Sequence, residues 1–201
     1  MKLFWPLIRS RISDGLSCGA DFCALQLRPK SAKMKNIYLV GFMGTGKTAI
    51  GKELAEREKR QFADLDELIA EREKRSIPEI FAQSGEPYFR DLEKNILEEL
   101  SRKTSCVVSC GGGIVINPDN IRRMKETGII ICLTASVDVI LARTSKFTNR
   151  PLLNVADPKE KIAALLKERA PFYCQADMTI DTSKISVKES ADKISDYLKK
   201  K

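Results

Sequence analysis

Residues 41–48, GFMGTGKT, have the composition and spacing of a phosphate-binding loop. They match the pattern G-x-x-x-x-G-K-[ST], with an apolar run at 37–41 before them and a helical pattern at 46–59 after them. The glycines allow a tight turn whose backbone N–H groups point at phosphate oxygens, and the N-terminus of the helix adds partial positive charge. Lys47 can reach the β- and γ-phosphates, and Thr48 can offer its hydroxyl to Mg²⁺. The loop predicts a nucleoside triphosphate site but leaves the acceptor open, because motors, GTPases and small-molecule kinases share it.

Two carboxylates follow in the segment ADLDEL, where Asp64 and Asp66 lie two residues apart. The second predicted strand ends in this segment, and residues two apart in a strand point to the same side, so both carboxylates can face the sheet edge where ligands bind. One carboxylate could then hold Mg²⁺ or its waters while the other orients a substrate hydroxyl, which is the division that phosphoryl transfer needs. Acidic pairs also begin many helices, so this interpretation depends on the neighbouring phosphate-binding loop.

An arginine and a glycine triplet supply further candidates for the acceptor site. Arg90 and Glu93 are three residues apart in a predicted helix and can pair. A positioned arginine binds both oxygens of a substrate carboxylate, although an exposed surface pair is the alternative. Three glycines at 111–113 follow the apolar run 106–110. Such a triplet removes side chains where a ligand approaches the backbone.

Predicted strands and predicted helices alternate along the chain and carry these residues. Five nearly continuous apolar runs suit strands that are buried on both faces of a parallel sheet. They cover residues 37–41, 62–65, 106–110, 129–134 and 178–181. Helical patterns cover residues 46–59, 86–102, 117–126, 136–145, 158–174 and 187–200. The alternation predicts a doubly wound α/β fold with right-handed crossovers, and residues 145–156, which fit neither pattern, are predicted to form a mobile loop.

Composition argues against a nucleic-acid binder and against a zinc site. The 201-residue chain has a formal net charge of +8, but residues 1–35 alone hold seven basic and two acidic side chains. The remaining residues carry 28 basic and 25 acidic groups, which is close to balance. The six cysteines include no C-x-x-C pair and there is no histidine, so the thiols are expected to be reduced in a cytoplasmic protein.

The first 35 residues require an interpretation of their own. Their apolar stretch LFWPLI is too short, and too interrupted by proline, for a signal-peptide core or a membrane span. The basic composition is compatible with an organelle transit peptide, but the segment Met34-Lys35-Asn36 immediately precedes the first predicted strand, so Met34 could be the true start. We expect residues 1–35 to be a disordered or spurious extension and residues 36–201 to form one domain.

Together these motifs resemble those of shikimate kinase, a family of P-loop kinases related to nucleoside monophosphate kinases. The resemblance covers about residues 36–200 and rests on six motifs in the order of the family: GFMGTGKT, ADLD, SIPEIFAQSGEPYFRDLE, SCGGG, TNRPLL and KERAPFY. It implies a P-loop kinase fold with a five-stranded parallel sheet flanked by helices and a mobile lid at about residues 145–156. It also implies that ATP, with Mg²⁺, phosphorylates the 3-hydroxyl of shikimate to give shikimate 3-phosphate and ADP, in the biosynthesis of aromatic amino acids.

The resemblance assigns acceptor-side roles residue by residue. Asp66 matches the aspartate that contacts shikimate hydroxyls and is the candidate base, and Asp64 matches the one near Mg²⁺, to which Thr48 also contributes. Arg90 and Arg169 match the two arginines on the shikimate carboxylate. Glu93 matches the residue that positions the first of these arginines, Arg90. The triple glycine that lines the shikimate pocket is matched by Gly111, Gly112 and Gly113. Two apolar positions of the substrate-binding segment are matched by Ile77 and Phe89.

The donor-side roles follow in the same way. Arg150 matches the lid arginine that closes over the reacting phosphates, and Arg143 matches an arginine beside the adenine; Lys47, Asp66 and Arg150 are the predicted catalytic residues. ATP binding is assigned to Gly44, Thr45, Gly46, Lys47, Thr48, Ala49, Arg143 and Arg150. The loop 181–186 reads DTSKIS where some family members have a proline or a basic pair, so no adenine contact is assigned to it. The resemblance further implies a monomer that binds only small molecules, without nucleic acid or membrane as a partner.

Two other functions compete with this assignment. Another small-molecule P-loop kinase, such as a gluconate kinase, would leave the glycine triplet, the RPLL motif and the paired arginines unexplained. A catalytically inactive member that acts as a binding or regulatory module should lack residues of the phosphate-binding loop or of the acceptor site. Those residues are all present in the sequence, which favours the enzyme.

Overall fold

The structure, a computed structural model, describes residues 35–145 and 157–201. Its centre is a sheet of five parallel strands in the order β2-β3-β1-β4-β5. The strands are β1 (Asn36–Val40), β2 (Gln61–Asp64), β3 (Cys106–Ser109), β4 (Gly128–Thr134) and β5 (Met178–Asp181). The helices are α1 (Lys47–Arg57), α2 (Leu65–Glu73), α3 (Ile77–Arg102), α4 (Pro118–Thr127), α5 (Val137–Thr144), α6 (Pro158–Tyr173) and α7 (Val187–Lys199), and a short 3-10 turn spans Ile114–Ile116.

The topology creates a crevice where the direction of the crossovers reverses. From β1 the chain crosses to one edge of the sheet to form β2, and from β3 it crosses back past β1 to form β4. Loops that follow β1 and β3 therefore leave the sheet side by side, at the carboxyl ends of neighbouring strands. Ligands of open α/β sheets bind at such a switch point.

Two apolar layers cover the sheet, one on each face. Alternate residues of β1 belong to different layers, because successive side chains of a strand point to opposite faces. Tyr38 packs in the layer formed with α2, α3 and α4, whereas Ile37 packs in the layer formed with α1 and α7. All five residues of β1 are buried, which explains why its sequence shows no polar alternation.

The predicted fold class and all five strands are confirmed, and each strand boundary lies within one residue of its prediction. The sequence patterns missed α2 entirely and missed the first part of α3. As a consequence, the prediction that Asp66 belongs to the end of a strand is wrong: β2 ends at Asp64, and Asp66 lies in the first turn of α2. The chain turns into a helix here because the Asp64 carboxylate accepts hydrogen bonds from the backbone N–H groups of Asp66 and Glu67, at 3.1 and 3.5 Å.

Helix α3 changes direction at Gly85, which explains why its first part was missed. Gly85 has φ of 79° and ψ of 170°, which are not helical values, and Pro87 follows it. The first part begins with a capping box, in which Ser76 and Glu79 each bind the backbone N–H of the other. Ile77, the first residue of this part, contributes to the cleft described below.

Two predictions fall on residues that the structure does not describe. The lid at 145–156, with Arg150, lies outside the described residues except for Ser145. The extension at 1–35 also lies outside them except for Lys35. Within residues 35–145 and 157–201, no helix is long and apolar enough to cross a membrane.

Asn36 connects three elements at the end of the sheet opposite the crevice. Its side chain, 0% exposed, donates to the carbonyl oxygens of Leu100 (3.3 Å) and Lys103 (3.0 Å) at the end of α3. Its amide oxygen accepts from the backbone N–H of Cys106, at the start of β3, at 3.0 Å. The side chain of Asn36, in β1, thereby links the end of α3 to the start of β3.

We expect Asn36→Ala to lower the free energy of unfolding by about 2–4 kcal/mol, because buried backbone groups would lose their partners at roughly 1–3 kcal/mol each. Urea denaturation measures this effect. Asn95→Ala, at an exposed position of α3, is the matched control and should stay within about 0.5 kcal/mol of the wild type. Equal stabilities of the two variants would contradict the role given to Asn36.

Candidate active site

A cleft of about 610 Å³ lies at the carboxyl ends of β1, β2 and β3. It brings together most of the residues that the sequence predicted for ATP, Mg²⁺ and the acceptor. Those lining it are Gly44, Gly46, Lys47, Thr48, Ala49, Asp64, Asp66, Ile77, Phe89, Arg90, Glu93, Gly111, Gly112, Gly113, Arg143 and Arg169. Thr45, within the phosphate-binding loop, does not line the cleft and is 0% exposed, and Arg150 lies outside the described residues.

The phosphate-binding loop joins β1 to α1 and curls back over the end of its own strand. Gly46, which precedes α1, has φ of 95°, a left-handed conformation that glycine adopts without strain. The Lys47 ammonium donates to the carbonyl oxygens of Gly41 (2.9 Å) and Phe42 (3.0 Å), so its side chain lies across the loop. The loop thus places a cation and a helix N-terminus on one wall of the cleft, which suits bound phosphates.

Thr48 and Asp64 form a polar pair beside this loop. The Thr48 hydroxyl donates to Oδ2 of Asp64 at 2.8 Å. The other carboxylate oxygen, Oδ1, caps α2, so the carboxylate is held in one orientation with Oδ2 toward Thr48. Hydroxyl and carboxylate oxygens are ligands that Mg²⁺ prefers, and Mg²⁺ in kinases takes one or two protein ligands while phosphates and waters supply the others. The pair therefore fits the predicted metal ligands, although the described residues contain no cluster of three or more acidic, histidine or cysteine side chains suited to a metal ion.

Arg90 projects from α3 into the opposite part of the cleft. Its guanidinium donates to Oε2 of Glu93 at 2.5 Å and to Oε1 of Glu86 at 2.6 Å. The two acceptors differ in exposure, since the Glu93 side chain is 1% exposed and that of Glu86 is 54% exposed. Glu93 is the partner that fixes the guanidinium, because an exposed carboxylate is readily displaced by solvent or by a ligand. Arg90 therefore pairs with Glu93 as the sequence predicts, and the pairing holds the guanidinium in one orientation. The alternative of an exposed surface pair does not apply, because the Glu93 side chain is buried.

The glycine triplet makes room for this pair. A methyl group on Gly111 would lie 2.3 Å from Oε1 of Glu93 and 3.1 Å from Oδ1 of Asp66. A methyl group on Gly113 would lie 2.5 Å from Nη1 of Arg90. A side chain at either position would force the Arg90–Glu93 pair to move, so Gly111 and Gly113 leave open the space that this pair occupies.

Burial of Glu93 makes its charge costly. Removal from water raises the pKa of Glu93 to about 7, the neighbouring Arg90 opposes this shift, and the carboxylate of Asp66 adds to it. Within the described residues, Oε1 of Glu93 accepts no hydrogen bond. A carboxyl group of this kind is uncharged in a fraction of molecules near neutral pH.

Arg169 enters the cleft from α6, beneath the phosphate-binding loop. It is 5% exposed, and its guanidinium carbon lies 5.7 Å from the centre of the Phe42 ring. One turn later on the same helix, the Tyr173 hydroxyl donates to the carbonyl oxygen of Gly112 at 2.8 Å. Sequence reasoning missed Phe42 and Tyr173; the spacing of four residues in ERAPFY could have indicated that Arg169 and Tyr173 share one face of a helix.

Arg143 lies on the donor side of the cleft. Its Nη1 donates to the carbonyl oxygen of Gly44 (3.1 Å) and to the Thr182 hydroxyl (3.1 Å), and its Nη2 donates to the Thr182 carbonyl oxygen (2.9 Å). Thr182 belongs to the loop after β5, for which the sequence predicts no contact with the nucleotide base. No sequence signal points to Thr182, because threonine is common in loops and DTSKIS differs from the loop sequences of some family members.

The chain is similar to known kinases over nearly all of this architecture. The sequence model of the shikimate kinase family matches residues 43–199. Shikimate kinase of Thermodesulfovibrio yellowstonii is 45% identical over 80% of this chain and 93% of its own length, and shikimate kinase of Caldanaerobacter subterraneus is 47% identical over 80% and 94%. Among solved structures, shikimate kinase from Acinetobacter baumannii in complex with shikimate has a TM-score of 0.79 at 40% identity, over 82% of this chain and 93% of that chain.

The raised pKa of Glu93 predicts how stability depends on pH. Because the folded pKa lies above the ordinary value of 4.5, the stabilising contribution of Glu93 is complete below that value and is lost as the pH rises through about 7. Without ligands, we expect the stability of the wild type relative to Glu93→Gln to fall by about 2 kcal/mol between roughly pH 5 and pH 8. Urea denaturation across this range measures the difference.

Glu98→Gln, at a partly exposed position of α3, is the matched control and should keep the pH dependence of the wild type. A difference between wild type and Glu93→Gln that does not change with pH would contradict the assigned protonation of Glu93.

Proposed function

The chain belongs to the shikimate kinase family and uses ATP to phosphorylate shikimate, and from this premise we propose how its own residues divide the task. The acceptor lies between the two arginines and the glycine triplet, and the donor lies on the phosphate-binding loop. The product is shikimate 3-phosphate, formed with ADP on the route to aromatic amino acids. The observation that carries this proposal is that Arg90, Arg169 and Asp66 line the same cleft as Lys47 and its loop.

On the acceptor side, Arg90 and Arg169 bind the shikimate carboxylate. Both are planar donors that form paired hydrogen bonds with carboxylate oxygens. Glu93 fixes Arg90 through the 2.5 Å contact at Nη1. The opposite edge, Nε and Nη2, contacts the exposed carboxylate of Glu86, and the ligand carboxylate takes the place of Glu86 at this edge. The solved complex of the Acinetobacter baumannii kinase with shikimate supports a shikimate site in this fold.

On the donor side, the loop N–H groups and Lys47 bind the β- and γ-phosphates, and Arg143 lies toward the nucleotide base. We assign Mg²⁺ to Thr48 and Asp64, whose oxygens face each other at 2.8 Å beside the loop. When bound, the ion neutralises charge on the phosphate oxygens.

In the transfer, the hydroxyl oxygen of shikimate attacks the γ-phosphorus, and the bond from that phosphorus to the β,γ-bridging oxygen breaks. Asp66 accepts the hydroxyl proton. Lys47 stabilises the negative charge that develops on the phosphoryl oxygens and on the leaving group. Placing both reactants in one cleft of about 610 Å³ supplies most of the orientation that the reaction needs.

Other parts of the assignment go beyond the described residues. We propose that Arg150 and the lid at about 145–156 close over the reacting phosphates and exclude water from them. The monomeric state, the cytoplasmic location and the extension at 1–35 stay predictions.

We expect ADP release to depend on shikimate and to stop when EDTA removes divalent cations. A coupled assay with purified protein should show turnover with shikimate and at most a background rate with gluconate or with no acceptor. Turnover that does not depend on shikimate would contradict the assignment of shikimate as the acceptor. Turnover that continues in EDTA would contradict the requirement for a divalent cation.

We expect Arg90→Lys to raise the KM for shikimate about 10- to 100-fold with a smaller change in kcat, because lysine keeps the charge beside Glu93 but lacks the planar fork. Lys47→Ala should instead lower kcat by a factor on the order of 100 or more. Arg122→Ala, whose side chain is 70% exposed on α4, is the control and should match the wild type. An unchanged shikimate KM in Arg90→Lys would show that Arg90 does not bind the acceptor.

A further inference from the structure

Thr182 is a buried polar residue next to the phosphate-binding loop that no assigned role explains. It directly follows β5 and is 2% exposed. Its backbone N–H donates to the carbonyl oxygen of Thr134, at the end of β4, at 2.8 Å. Its hydroxyl oxygen lies 3.0 Å from the carbonyl oxygen of Thr45, inside the loop, and 3.0 Å from that of Thr134.

The partners of the Thr182 hydroxyl determine where its single proton goes. The hydroxyl accepts a hydrogen bond from Nη1 of Arg143 at 3.1 Å, so its own proton must point away from that arginine. The Thr134 carbonyl already receives the backbone N–H of Thr182 at 2.8 Å. The Thr45 carbonyl is buried in the loop and is therefore the acceptor that most needs the hydroxyl proton.

Arg143 completes the contact with the loop. It donates to the carbonyl oxygen of Gly44 at 3.1 Å while it is held by the hydroxyl and the carbonyl oxygen of Thr182. Thr182 and Arg143 together bind two consecutive carbonyl groups of the phosphate-binding loop, those of Gly44 and Thr45.

These contacts orient a peptide group toward the phosphates. In a trans peptide the C=O of one residue and the N–H of the next point in opposite directions, and the described residues contain no cis peptide. Because the Thr45 carbonyl points into the protein, toward Thr182, the N–H of Gly46 points the other way, and Gly46 lines the cleft.

We propose that Thr182 is a positioning residue for the phosphates of the nucleotide: with Arg143, it fixes the phosphate-binding loop in its binding conformation before the nucleotide arrives. The inference rests on the proposed function and deepens it, since it gives the loop after β5 a role toward phosphate that does not depend on the base. Fixing donors in advance strengthens binding because the loop then loses less conformational freedom when the ligand binds.

Calorimetric titration with tripolyphosphate, which has no base, and with ADP tests this role. Thr182→Val has nearly the shape of threonine but no hydroxyl, and we expect it to weaken binding of both ligands by a similar factor, about 5- to 10-fold. Shikimate binding should stay within about 2-fold of the wild type. Thr182→Ser keeps the hydroxyl and should bind all three ligands within about 2-fold of the wild type.

If Thr182→Val does not fold, Thr182→Ala replaces it and should show the same loss relative to Thr182→Ser. Weaker ADP binding with unchanged tripolyphosphate binding would overturn the proposal, because the residue would then act on the base. Unchanged binding of both ligands, or an equal loss for shikimate, would also overturn it. These titrations require no turnover, so they remain separate from the acceptor assay of the wild type.

Discussion

The structure depends on the burial of β1 between β3 and β4. Because β1 is covered on both faces and paired along both edges, the chain can turn only where the strand ends. The loop after β1 therefore emerges next to the loop after β3, which is a neighbouring strand. The first of these loops has the phosphate-binding motif, and the second contains the glycine triplet. Donor and acceptor groups are close because strand order places them so, and the backbone N–H of Cys110, which bonds to the carbonyl oxygen of Leu39 at 2.9 Å, continues the pairing up to the triplet.

The buried carboxyl group of Glu93 constrains which side chains can surround it on the acceptor side of the cleft. Glu93 is removed from water, and its charge is tolerated only because Arg90 pairs with it. The pair needs the space that Gly111 and Gly113 leave open. The sequence predicts that the triplet exposes backbone to the ligand; in the structure Gly111 and Gly113 also accommodate the protein's own side chains. The oriented arginine is the result of this arrangement, and it is the group that we propose for the shikimate carboxylate.

Much of the fold and of the site could be predicted from the sequence, for physical reasons that differ between residues. The five strands are buried on both faces, so their apolar runs stand out, and the phosphate-binding loop has a spacing that few other structures require. Asp66 was placed on a strand because a pattern of alternate residues cannot show that the Asp64 side chain caps a helix and ends the strand. Thr182 and Tyr173 act through contacts with residues that are 137 and 61 positions away in the chain, and no local pattern reports such contacts.

The proposed function requires one cleft to hold both substrates, with the acceptor carboxylate between Arg90 and Arg169. A crystal structure of the protein with shikimate and ADP is the sharpest test. We expect the carboxylate within about 3 Å of both guanidinium groups and a ring hydroxyl within hydrogen-bond distance of Asp66. A shikimate molecule whose carboxylate contacts neither arginine, or whose hydroxyls face away from Asp66 and the phosphate-binding loop, would contradict it.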